Sequence, residues 1–217
     1  MDFAHARKIM VASQVRTNDV TDIRLQTALE SVPREQFLPA EMKTRAYVEQ
    51  EIAYTPDRRL LTARDLAKLL AAAEPRSRDL VLDAACGSGY STALLAQLCE
   101  MTVGLESDER LAQLAQENLT ALGVTNAAVI VGDPAAGAVK QGPYDLIFIA
   151  AAIEQTPTRL LEQLKDGGRL AAIVKSDGVF RGAVYRRSGG ASAPVAFFDA
   201  TTRFVLPEFQ RPKAFEF

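Results

Sequence analysis

The stretch Leu80-Val81-Leu82-Asp83-Ala84-Ala85-Cys86-Gly87-Ser88-Gly89-Tyr90 constrains the fold more than any other part of the chain. An apolar run closes on an acid, small residues make a tight turn, and an alanine- and leucine-rich segment starts at once. Strand, glycine turn and helix in that order present backbone N–H groups and a helix N-terminus to a nucleotide-like ligand. The alternation continues downstream. Strands are expected at 80–84, 101–105, 128–131, 146–150 and 169–174, with helices at 90–98, 108–122 and 156–164 between them. That pattern predicts an α/β, Rossmann-like fold: a mostly parallel central sheet with helices on both faces. After Val174 the reading turns to C-terminal antiparallel strands, a hairpin at 179–186 and 195–199 and a last strand at 202–206 that completes the sheet edge.

Residues 1–78 read as an N-terminal helical extension, and residues 79–217 as the ligand-binding domain, the two forming one integrated unit. Helical spacing is expected at 3–15, from Thr21-Asp22 to Val32, and at 62–73, where Thr62 with Asp65 has the form of a capping pair. Thr55-Pro56-Asp57 marks a turn, and Arg58-Arg59 after it reads as part of a solvated loop, with the grip of an anion as the alternative.

Which ligand suits the glycine turn is decided by the residues around it. A dinucleotide fold wants a third glycine three places after Gly89, and that place holds Thr92. A cationic adenosine ligand instead finds acids where it needs them. Asp83 ends the first strand and is placed to receive an ammonium group. Glu106 ends the second, 19 residues after Gly87, where a carboxylate accepts both ribose hydroxyls. Asp133, after Gly132, ends the third and is placed to accept an adenine amino group. Other classes are disfavoured. A net charge of −2 gives no pull toward nucleic acid or an anionic membrane. No apolar run approaches the roughly 18 residues of a membrane span, and the N-terminus lacks a signal-peptide core. Two cysteines, Cys86 and Cys99, make neither a disulfide framework nor a metal set, so a cytoplasmic home and no metal are expected. The lone His5, near the N-terminus, reads as a surface residue.

The segment 81–93 resembles the first motif of class I methyltransferases, and in detail that of the protein-L-isoaspartate O-methyltransferases, whose loop runs Gly-Ser-Gly-Tyr into the helix. Val32-Pro33-Arg34-Glu35-Gln36-Phe37-Leu38-Pro39 is similar to a signature of that family's N-terminal region. Ala46-Tyr47, the segment 144–152, Pro157, Gly167-Gly168-Arg169-Leu170 and Arg203-Phe204-Val205 fall in family order, so the likeness covers residues 20–207. It implies S-adenosyl-L-methionine as cofactor, held by Asp83, Ala85, Cys86, Gly87, Ser88, Gly89, Tyr90, Glu106, Ser107, Gly132, Asp133 and Ala150. It also implies a protein or peptide substrate bearing isoaspartate, within protein repair. Two departures stand out. The first glycine of the usual motif is Ala85, a change a loosened turn tolerates unless φ there is positive. And the family's Gly-Gln-Thr-Ile-Ser-type segment, which lies over the cofactor and supplies a hydroxyl near the reacting carboxylate, is replaced by the shorter Thr55-Pro56-Asp57-Arg58-Arg59-Leu60-Leu61-Thr62.

Thr62 is the hydroxyl nearest the matching place, which makes it the candidate catalytic residue, with helix capping as its competing role. Tyr54, Ala151 and Ala152 are expected to border the acceptor pocket. A carboxylate acceptor is already an anion at neutral pH and needs positioning but no base, which agrees with the absence of histidine from the sheet region. A non-catalytic relative acting through a partner, a small-molecule acceptor and, more distantly, a nicotinamide dehydrogenase are the alternatives. A monomer or weak homodimer is expected, with Phe215 and Phe217 docking on the domain or on a second copy.

Overall fold

The computed structural model describes residues 2–211; the aromatic tail at Phe215 and Phe217 lies outside them. Helix α1 (Phe3–Met10) starts at Asp2, whose carboxylate accepts from the His5 N–H, and runs into a wider turn at Val11–Val15. Helix α2 (Ile23–Ser31) is capped by Asp22 and stops before Pro33. A two-stranded hairpin, β1 (Ile52–Ala53) and β2 (Arg59–Leu60), precedes α3 (Ala63–Ala73), whose buried stripe includes Leu66, Leu69, Leu70 and Ala73.

The main sheet holds β3 (Leu80–Ala84), β4 (Met101–Glu106), β5 (Ala127–Val131), β6 (Tyr144–Ile153), β7 (Leu164–Ser176), β8 (Val179–Ser188) and β9 (Ala191–Asp199). Their order is β5-β4-β3-β6-β7-β8-β9, parallel through β7 and antiparallel beyond it. Helices α4 (Tyr90–Ala96), α5 (Glu109–Ala121) and the short α6 (Thr158–Leu161) fill the connections. Because β3, β4 and β5 run outward one way and β6 starts the other half, the order reverses between β3 and β6. Open parallel sheets bind ligands at the carboxyl edge of such a switch point.

Two stretches differ from expectation. Residues 202–206 do not form the last strand. Val205 makes a single bridge to Ala152, the Leu206 N–H donates to the Ala152 carbonyl, and Pro207 then supplies no further donor. Strand β9 is the edge instead. Helix α6 is four residues long, since Pro157 opens it and the chain enters β7 at Leu164, four positions ahead of Gly168.

Alternation along the strands sorts the core onto two faces. Val81, Leu146, Phe148, Ala171 and Ile173 pack with the N-terminal helices and α3. Leu82, Ile147, Ile149, Leu170 and Ala172 pack with Leu160 and Leu161. Helix α3 is pinned to the sheet by the buried Arg169, which donates to the carbonyls of Ala73 (2.5 Å), Glu74 (2.5 Å) and Asp145 (3.0 Å) and to the Asp79 carboxylate (2.6 Å). No helix among the described residues is long and apolar enough to cross a membrane.

Candidate functional site

Strand β3 delivers Asp83 to the switch point with its carboxylate fully buried. One oxygen, Oδ2, accepts from the hydroxyls of Ser91 and Thr92, each at 2.7 Å; the other, Oδ1, is buried without a partner. Thr92, which stands where a dinucleotide fold needs glycine, is therefore a support for this carboxylate. Burial pushes the Asp83 pKa up to about 7, and the two hydroxyls only partly oppose it. A buried carboxylate oxygen with nothing to accept from is what an ammonium group, directly or through water, would complete.

The turn that follows keeps the glycine geometry without the glycine. Ala85 lies at φ +61°, so it does not loosen as the sequence led us to expect. A residue with a Cβ is disfavoured there by about 1–2 kcal/mol, because Cβ crowds the carbonyl oxygen that follows. Ala85→Gly is thus expected to raise the urea midpoint by an amount equivalent to about 0.5–1 kcal/mol, the rest being lost to the freer unfolded chain. An unchanged or lower midpoint would show that the Ala85 methyl packs better than its backbone suffers. Gly87, at φ +57°, has a second reason to be glycine: a Cβ there would sit 1.9 Å from the Tyr54 hydroxyl.

Glu106 ends β4 and is completely buried. Three backbone N–H groups hold it: Gly87 on Oε2 (2.8 Å), Ser107 on Oε1 (2.8 Å) and Asp108 on Oε1 (3.1 Å). Across the remaining edge lies Arg58, whose Nε donates to Oε2 at 2.8 Å and Nη2 to Oε1 at 2.6 Å. Burial alone would raise the Glu106 carboxyl, but Arg58 and the N–H groups outweigh it and leave it below the ordinary range. The same guanidinium meets Glu208 at 2.6 Å and donates to the Ser107 hydroxyl at 3.0 Å. The expectation of a solvated Arg58 is therefore overturned, since the residue is 4% exposed. Its direction is set by the hairpin, in which the N–H groups of Tyr54 and Thr55 both donate to the Arg58 carbonyl and fold the turn inward.

A small cavity of about 30 Å³ lies beside this pair, bordered by Glu51, Tyr54, Arg58, Arg59, Ala85, Cys86, Tyr90, Ala150 and Ala151 among others. The Tyr54 hydroxyl accepts from the Ser88 N–H at 3.2 Å, and burial pushes its pKa up to about 12. Arg59 stacks on Phe204, its guanidinium carbon 4.3 Å from the ring centre, and its Nε is buried with no partner. Glu51 accepts from the Thr202 hydroxyl at 2.9 Å, and burial raises its carboxyl.

The other expected site residues make local contacts of their own. The Thr62 hydroxyl accepts from the Asp65 N–H at 3.1 Å as the cap of α3, and it does not border the cavity. Asp133 is exposed and accepts from the Ala135 N–H at 2.9 Å, closing its own turn, while the Gly132 N–H donates to the Glu106 carbonyl. Ser88 spends its hydroxyl on the Phe37 carbonyl, and the buried Ala152 pairs with the chain at 205–206. Gly89 opens α4 at φ +93°. Arg58, Arg59, Glu51, Phe204 and Glu208 are the site residues that sequence reasoning left out. Only the paired arginines carried a signal there, and nothing in the order of residues brings position 208 to position 58. No cluster of three metal-ligating side chains exists among the described residues.

The residues fit a cationic adenosine ligand at Asp83 and the glycine turn, while at Glu106 the two-oxygen edge is taken by Arg58. The sequence profile of the protein-L-isoaspartate(D-aspartate) O-methyltransferase (PCMT) family matches residues 6–205. A protein-L-isoaspartate O-methyltransferase of Koribacter versatilis is 34% identical over 188 residues, which is 87% of this chain and 85% of that one. One of Methanoculleus marisnigri is 36% identical over 168 residues, 77% and 76% of the two chains. Among solved structures, a protein-L-isoaspartate O-methyltransferase superposes with a TM-score of 0.79 at 21% identity, covering 92% of this chain and 65% of that one. A Plasmodium falciparum candidate of the same name, in complex with S-adenosyl-L-homocysteine, gives 0.76 at 18% identity over 93% and 98% of the two chains. These two carry the fold alone. Profile and sequence relatives together establish that the chain belongs to the protein-L-isoaspartate(D-aspartate) O-methyltransferase family.

Proposed function

We propose that the chain binds S-adenosyl-L-methionine and methylates the carboxylate of L-isoaspartyl residues in damaged proteins. The observation that carries this reading is Asp83 Oδ1, a buried and unpartnered acceptor beside a glycine turn, in a member of this family. Asp83 would hold the ammonium end of the cofactor, the 85–90 turn its middle and Glu106 its ribose. When bound, the cofactor supplies an electrophilic methyl group. The acceptor carboxylate is an anion at neutral pH, so the protein's work is to align and partly desolvate it. Thr62, the nearest hydroxyl, caps a helix and lies outside the lining of the cavity. Arg59 takes the positioning role in our reading: its Nε is buried without a partner and its plane is braced on Phe204.

The test is transfer of labelled methyl to an isoaspartyl peptide and to its aspartyl twin. Only the isoaspartyl form should be labelled. Arg59→Gln should raise KM for it about 10–100-fold, the size of a charged hydrogen bond, with kcat held within a few-fold. Equal labelling of the twins would point to another acceptor. Binding of S-adenosyl-L-homocysteine with no labelling would favour a second reading, a non-catalytic member, which the replacement of the family's Gly-Gln-Thr-Ile-Ser-type segment by residues 55–62 motivates.

A further inference from the structure

Glu106 has one edge to offer. Its three backbone N–H donors approach from the turn and from the start of α5, and the two-oxygen edge opposite carries the Arg58 fork. A vicinal pair of ribose hydroxyls binds a carboxylate through that same edge, one hydroxyl to each oxygen. Guanidinium and ribose therefore exclude one another. Glu208 and the Ser107 hydroxyl complete the grip from the C-terminal side, so that residues 54–58 and the Pro207–Phe209 turn close over the end of β4 together.

We propose that Arg58 is an internal occupant of the ribose subsite, and that the Arg58–Glu208 pair is a latch which must open before an adenosine ligand reaches Glu106. This rests on the cofactor reading above. Two structural facts favour a latch over a fixed strut. The Arg58–Glu208 pair joins separate pieces of chain, a hairpin turn and a short turn near residue 208, neither of which belongs to the main sheet. And Glu106 keeps three N–H partners when Arg58 leaves, so the carboxylate is not stranded. Apparent affinity for an adenosine ligand is then the intrinsic affinity multiplied by the fraction of molecules with Arg58 withdrawn.

The experiment is calorimetric titration of S-adenosyl-L-homocysteine into the wild type, Arg58→Ala and Glu208→Gln, with hydrogen exchange of the wild type with and without the same ligand. Arg58→Ala should bind at least 10-fold tighter, a difference of about 1.4 kcal/mol. Glu208→Gln, which loosens the latch without touching Glu106, should bind several-fold tighter. In the wild type, ligand should speed exchange at 54–58 and 207–209 while slowing it at 86–90. A ligand that speeds exchange anywhere in its own site is not the behaviour of a structural ion pair. Should Arg58→Ala fail to fold, Glu208→Gln and the exchange pattern decide. If the wild type binds and the variants bind no tighter, or exchange at 54–58 slows, the latch is wrong and the cofactor reading stands. If no form binds, both fall.

Discussion

Arg169→Leu is expected to lower stability by about 3–5 kcal/mol, the usual cost of removing one partner from a buried ion pair. Leucine fills much of the volume but leaves the Asp79 carboxylate with the Arg76 N–H as its remaining donor and takes the Arg169 donors from the carbonyls of Ala73, Glu74 and Asp145. Two of those carbonyls close the C-terminal end of α3, where unpaired acceptors accumulate and a cation is favoured. Arg169→Lys should recover only part of the loss, because an ammonium cannot address four acceptors in the fork geometry of a guanidinium. Adding Asp79→Asn to the leucine variant should regain about 1 kcal/mol or more, since a buried neutral amide short of partners costs less than a charge in the same place. Urea unfolding of the four proteins measures each quantity. A loss under about 1 kcal/mol for the leucine variant would mean that water reaches these acceptors.

The second large effect belongs to Asp83. Its folded pKa stands at about 7 against an ordinary 3.8, so between those values the folded protein holds a proton that the unfolded chain has released. Stability from this group is thus fully present below about pH 4 and is lost as pH rises to 7, after which the deficit is constant at roughly 4 kcal/mol. Asp83→Asn removes the deficit, because its side chain never ionises. The variant should therefore match the wild type at pH 4 and exceed its stability at pH 8 by most of that amount. Other carboxylates impose slopes of their own, so the difference between the two proteins across pH is the quantity to measure. A pH-independent difference would refute the buried, protonatable Asp83. Affinity for S-adenosyl-L-homocysteine should fall in the same variant, which would make Asp83 a residue kept for its ligand at the expense of stability above neutrality.

Much of the sheet is legible in the sequence, because parallel strands buried on both faces are short apolar runs between glycine turns. Asp83, Gly87 and Glu106 fell at the ends of such runs, where topology alone brings them together. The strand expected at 202–206 failed because periodicity cannot count hydrogen bonds: the stretch makes one bridge, Val205 to Ala152, and one N–H bond from Leu206, too few for a ladder. Ala85 was misjudged for a related reason: composition says which residue prefers a positive φ, not whether the turn will insist on one. The Arg58 contact was out of reach. It joins positions 58, 106 and 208, and a charged pair beside a turn is solvated far more often than it is buried.

The hairpin at 52–60 sets one further condition on the chain. Arg58 and Arg59 are neighbours in sequence, yet one lies on Glu106 and the other on Phe204. Adjacent residues of an extended segment face opposite ways, so the two destinations depend on parity. Insertion of one residue between Arg59 and Leu60, inside the extended run, would exchange them, presenting the wrong guanidinium to each neighbour. Substitution at either arginine edits one contact; a change of length by one rewires both. The number of residues in this segment is therefore as much a part of the site's specification as their identities.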